Sequence, residues 1–186
     1  MKYTYTTLLN CLVQVMLRIS SATILNPTAY YSFNGNADDK SSNGRHGEVH
    51  SATLTADRFG VADSAYAFDG SSSYIKIIDG NAFNCANQCT FSMWVKSNNF
   101  VNSYATLLDK SHSDTAGWSL TQGAGDLNSF MWKGTSSNPR MTYATSAVPL
   151  AGNEWQHLAV TKQSNVVHIY LNGNDVLTSV AGTIAE

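Results

Sequence analysis

The chain has 186 residues, of which 43% are hydrophobic and only 13% charged, with 11 Lys and Arg against 13 Asp and Glu. That length suits one domain and that apolar share fills a core. The scarcity of charge excludes a coiled coil and a charge-driven disordered chain, and no basic stripe marks a nucleic-acid binder.

In chain order, Lys2 precedes an apolar run from Leu8 to Leu17, interrupted by Asn10 and Gln14, and Ser20 and Ala22 follow as small residues. A basic start, a short apolar core and small exit residues form an export pattern, and the core is shorter than the roughly 20 apolar residues of a membrane span. Residues 1–22 are expected to be a signal peptide, 23–28 a short leader and 29–186 the domain; an amphipathic helix or an incorrectly assigned start is the other reading of the first stretch. Export would remove Cys11 and leave Cys85 and Cys89. In an oxidising compartment these form a local disulfide; otherwise they are two free thiols near the surface.

Short strands between polar turns follow. The expected strands are 29–33, 65–68, 74–78, 90–96, 105–109, 118–121, 129–132, 140–143, 155–161, 166–171 and 175–178. In the strand at 90–96, Phe91, Met93 and Val95 take one face and Ser92, Trp94 and Lys96 the other. Asn172-Gly173 supplies the positive φ angles of a tight hairpin turn. No stretch after residue 28 carries an amphipathic helical stripe, so the chain reads as an antiparallel β-sandwich or barrel.

Four segments together resemble a known family: Tyr31–Gly47; Asp57-Arg-Phe-Gly60 with Ala65–Gly70 and Ser73–Ile77; Phe91–Lys96; and Trp155–Thr161 with Val167–Gly173. In this order they are similar to the laminin-G-like jelly roll of the concanavalin A-like lectin/glucanase superfamily. The resemblance implies an all-β fold, two curved antiparallel sheets back to back, and an extracellular recognition or adhesion role. Some relatives bind calcium and glycans, and others are spacers beside catalytic domains. Members usually continue with further strands past the Asn-Gly hairpin, so the jelly roll is expected to be C-terminally incomplete, with room for further domains of a longer parent chain; closure in another way is the other reading.

Glucanases of this superfamily carry clustered carboxylates that flank the scissile bond. The three glutamates, Glu48, Glu154 and Glu186, form no such cluster in the sequence, and the chain reads as non-catalytic. Calcium takes six to eight oxygens. Asn36, Asp38, Asp39 and Asn43 in the loop at 34–44, with Asp69 of the Phe-Asp-Gly turn, offer them, although the same residues serve equally as turn formers. For a sugar ligand, stacking rings and amides are offered by Tyr104, Trp118, Gln122, Asn128 and Trp132, with Trp118 and Trp132 equally readable as core, while Trp94 and Trp155 are assigned to packing. His157 and His168 are expected across from each other on adjacent strands, as surface residues rather than a metal pair.

The sequence thus describes a secreted, non-catalytic binding or adhesion module for an extracellular glycan or glycoprotein, with Ca2+ supporting a loop, no nucleic acid and no membrane span. The alternatives are an accessory-domain fragment of a glycoside hydrolase or other larger secreted enzyme, and a purely structural spacer.

Overall fold

A computed structural model describes residues 11–14, 27–78, 81–85, 88–97, 105–112, 116–122, 128–133, 141–144, 152–164, 166–176 and 179–181. Their strands are β1 (Cys11–Gln14), β2 (Gly47–His50), β3 (Thr53–Thr55), β4 (Ala65–Ala67), β5 (Tyr74–Ile77), β6 (Gln88–Ser97), β7 (Ala105–His112), β8 (Ala116–Gln122), β9 (Asn128–Lys133), β10 (Met141–Ala144), β11 (Gln156–Gln163), β12 (Val166–Leu171), β13 (Asn174–Asp175) and β14 (Ser179–Ala181). A seven-stranded sheet runs β13-β12-β11-β6-β1-β4-β3, a five-stranded sheet β14-β10-β9-β8-β7, and β2 pairs with β5. The ladders joining these strands are antiparallel.

Period-two patterning explains the large sheet. Met93 and Val95 of β6, Leu158 and Val160 of β11, and Val167, Ile169 and Leu171 of β12 are buried on one face. The five-stranded sheet adds Leu107, Trp118 and Leu120 to the same cluster, so two sheets enclose one core, as expected for an all-β jelly-roll sandwich. Burying each large aliphatic side chain contributes about 1.5–3 kcal/mol. Lys162 interrupts the apolar face of β11; it is buried, and desolvation lowers its ammonium pKa.

The hairpin between β12 and β13 turns as expected, with positive φ at both Asn172 and Gly173. Beyond it, the returning strand covers Asn174–Asp175, and 177–178 of the expected strand lie outside the described residues. The strand expected at 29–33 does not form. Tyr31 makes an isolated bridge to Asp39, and a positive φ at Phe33 breaks extended geometry there. The two rings are buried by stacking instead: Tyr31 on Phe33 at 5.9 Å between centroids, and Phe33 edge-on to Tyr66 at 5.2 Å.

Gly47 shows why β2 lies where it does. A Cβ there would stand 2.6 Å from Ile75 Cγ2 and 3.0 Å from the Ala37 Cβ, so only glycine allows this approach of β2 to β5 and to the loop at 34–44. The Gly47 amide donates to the Ala37 carbonyl at 2.9 Å, which fastens the loop to the strand.

Candidate binding face

The loop at 34–45 is organised by one carboxylate. Asp39, 5% exposed, accepts four hydrogen bonds: from the Tyr30 and Ser41 amides on Oδ1 at 2.9 and 2.8 Å, and from the Ser41 hydroxyl and Arg45 amide on Oδ2 at 2.7 and 3.0 Å. Desolvation opposes its ionisation, but the donors of Tyr30, Ser41 and Arg45 outweigh it and hold the pKa down at about 2. Asp69 does the same for its turn, accepting from the amides of Ser71, Ser72 and Ser73 and from the hydroxyls of Ser72 and Ser73. These backbone amides are the main reason its pKa falls well below the usual carboxylate range.

The other expected calcium ligands also engage locally. Asn36 Oδ1 accepts from the Asp38 amide at 3.1 Å, Asp38 lies 3.3 Å from the Lys40 ammonium and 3.5 Å from His46 Nδ1, and Asn43 donates to the carbonyls of Pro27 and Thr28. Among the described residues, no group of three His, Cys, Asp or Glu side chains comes together to hold a metal ion. What this arrangement does chemically is fix turns, the role Asx residues play widely.

The residues read as sugar contacts have a different outcome. Trp118 is 4% exposed. Its indole Nε1 donates to the Phe83 carbonyl at 2.7 Å, and its ring packs on Phe91 with centroids 4.1 Å apart. It is a core residue, not a stacking platform. Trp132 is its register partner and Gln122 pairs with Asn128; the side chains of these three, and Tyr104 entirely, lie outside the described residues. Cys85 and Cys89 are joined in a disulfide.

The structure instead assembles polar and aromatic groups on the face of the seven-stranded sheet turned away from the core. Alternation places Ser92, Trp94 and Lys96 of β6, His157, Ala159 and Thr161 of β11, and His168 and Tyr170 of β12 there, all partly buried. Register sets their rows. His157 stands opposite Trp94, Ala159 lies between Ser92 and Tyr170, and Thr161 lies between Thr90 and His168. Directly opposed side chains are in contact range. The small Ala159 therefore leaves a low point in its row, between the Tyr170 ring and Ser92 and beside the His157–Trp94 row.

Each row is held. Ser92 Oγ and His157 Nε2 share a hydrogen bond of 2.8 Å, and the His157 and Trp94 rings lie 5.2 Å apart. The His157 amide donates to Asn172 Oδ1. At the far end His168 Nδ1 donates to the Asp175 carboxylate at 2.6 Å. The two histidines are thus not opposite each other: the β11–β12 register pairs His168 with Thr161.

One turn reaches over this face. Asp57 Oδ1 accepts from the amides of Phe59 and Val61 at 2.9 Å, and this closed turn presents Arg58. The guanidinium sits 4.1 Å over the Phe59 ring and 4.4 Å over the Trp94 ring, a cation between two aromatic faces. Phe59 remains 70% exposed. Trp94 thus belongs to the outer face rather than to the packing role expected for it. Alternation had placed it there, but the Arg58 contact joins residues far apart in sequence, and no local signal announces it.

Burial, and then the Arg58 charge, lower the His157 pKa below its ordinary value of 6.5. The unfolded chain takes up a proton near that pH while the folded chain resists it, so stability present above about pH 6.5 is lost as the pH falls. The melting temperature should therefore decline on acidification below pH 6.5, and His157→Gln should flatten that part of the profile. An unchanged profile in the variant would remove His157 as its source.

The chain is thus an antiparallel two-sheet sandwich with a polar and aromatic outer face on its larger sheet. A family model of laminin-G type, described as the concanavalin A-like lectin/glucanases superfamily, matches residues 69–185, and the chain belongs to that superfamily. No curated protein and no solved structure matches it. Among the described residues, no helix is long and apolar enough to cross a membrane.

Proposed function

We propose that the chain is a secreted, non-catalytic binding module for an extracellular glycan or glycoprotein, and that the outer face of the seven-stranded sheet is its recognition surface. The observation that carries this reading is the arrangement around Ala159: the Tyr170 ring on one side, Ser92 on the other, the Trp94–His157 pair in one adjoining row, and Thr161 with His168 in the next. Sugar rings present apolar C–H faces that stack on aromatic rings and hydroxyls that pair with such side chains. The disulfide and the superfamily's lectins support an extracellular setting and a binding role.

Hydrolysis of a glycosidic bond takes two carboxyl groups about 5–9.5 Å apart. On β6, β11, β12 and β13, the strands that build this face, Asp175 is the one carboxylate, and it is engaged by His168. That supports recognition without catalysis. Calcium is not built into the proposal, because Asp39 and Asp69 spend their oxygens on backbone amides and serine hydroxyls.

The test is binding of the full chain to immobilised glycans and glycoproteins, beside the variants Tyr170→Ala and Lys110→Ala. Lys110 lies on β7, in the other sheet. Tyr170→Ala should weaken binding at least about tenfold, the scale of a lost aromatic contact, and Lys110→Ala should not. Equal loss in both, or in neither, places the ligand elsewhere.

A further inference from the structure

β1 is unlike the other strands of its sheet. It comes from the apolar N-terminal run, yet it lies inside the sheet, between β4 and β6. It is antiparallel to both neighbours, with Leu12 and Val13 registered on Ala67 and Tyr66, and Cys11 to Gln14 registered on Ser97 to Trp94. A strand so placed meets backbone donors and acceptors along two edges at once. Without it, β4 and β6 would face each other across a gap one strand wide, and unpaired edges template the addition of another strand.

The same residues lie in the core of the segment whose Lys2, apolar run, Ser20 and Ala22 form an export pattern. One stretch of chain is therefore both a strand of the sheet and the apolar core of an export pattern.

We propose that the gap between β4 and β6 is a strand-acceptor site. Residues 11–14 fill it in the unprocessed chain. After cleavage near Ala22 separates that segment, the site takes up an extended peptide antiparallel to both neighbours. Its lining selects the occupant. The register positions beside Tyr66 and Val95 adjoin buried side chains, and those beside Trp94 and Lys96 adjoin the outer, polar face. A peptide with apolar residues at every second position fits, and a uniformly charged one does not. This inference is independent of the glycan reading, since the slot is tested with a peptide and no sugar.

The experiment uses the full chain with a site-specific protease sequence in place of residues 18–24, folded and then cut. The probe is a fluorescein-labelled synthetic peptide of residues 8–17. Cut protein should take up the probe saturably, uncut protein at least about tenfold less, and the probe carrying Val13→Pro should bind at least tenfold more weakly, because proline removes a ladder donor. Cut protein that keeps its native melt and takes up no probe, or cut and uncut protein that take it up equally, would overturn the proposal. Amide exchange on the uncut chain decides the matter even where cutting unfolds the protein. Residues 11–14 should be protected within about tenfold of residues 94–97, and exchange at unfolded-chain rates would overturn it.

Discussion

Trp118→Ala should destabilise the domain by about 3–5 kcal/mol, the range for truncating a buried aromatic side chain, and chemical denaturation with tryptophan fluorescence would measure it. Two losses combine. The ring leaves a void against Phe91, and the part-buried Phe83 carbonyl loses the donor that meets it at 2.7 Å, a lost hydrogen bond adding to the cost of the void. Trp118→Phe keeps most of the volume and loses the hydrogen bond, so it should fall between the wild type and alanine. A Trp118→Ala protein as stable as the wild type would contradict the place of this residue in the core.

Asp39→Ala should lower stability by about 1–3 kcal/mol, because the amides of Tyr30, Ser41 and Arg45 lose a charged acceptor. The effect is pH-dependent with a defined sign. Donors outweigh burial and hold the folded-state pKa at about 2, below the ordinary 3.8. The contribution is therefore complete above roughly pH 4 and is lost as the pH falls towards 2. Wild type and Asp39→Ala should converge in melting temperature across that window. The same melts with calcium and with a chelator should superimpose. A calcium-induced rise that Asp39→Ala abolishes would instead assign this loop to a metal.

The sandwich itself was legible because its central strands repeat cleanly. Met93 and Val95, Leu158 and Val160, and Val167, Ile169 and Leu171 recur at the two-residue period of a strand with one buried face, and Asn172-Gly173 announces its own turn. Trp118 and Leu120 obey that period too, and their burial was concealed by the polar Ser119 between them and Thr121 after them. At Tyr31 to Phe33 an apolar run suggests a strand, but burial there is achieved by ring stacking around a positive φ. β2 and β3 were missed because Glu48, His50, Thr53 and Thr55 leave too little apolar alternation in such short strands.

The candidate face was legible only by halves. Alternation alone put Ser92, Trp94 and Lys96 on a common side. The placement of Arg58 over Trp94, the Ser92–His157 hydrogen bond and the low point at Ala159 arise from strand order and register, which pair β6 with β11 across more than sixty residues. The acidic loop was legible only as a pair of alternatives. Its composition suits a cation site and an Asx turn alike, and the hydrogen bonds that Asp39 and Asp69 accept show the turns.

The most direct test of the recognition face is a comparison of the full chain with Tyr170→Ala and Trp94→Ala on one array of immobilised glycans and glycoproteins, with each protein's melt recorded. The account predicts saturable binding by the wild type and at least about tenfold weaker binding by both variants, with cooperative melts retained. Undiminished binding by both variants would contradict the face as the site, and a folded wild type that binds nothing on the array would contradict the binding role itself.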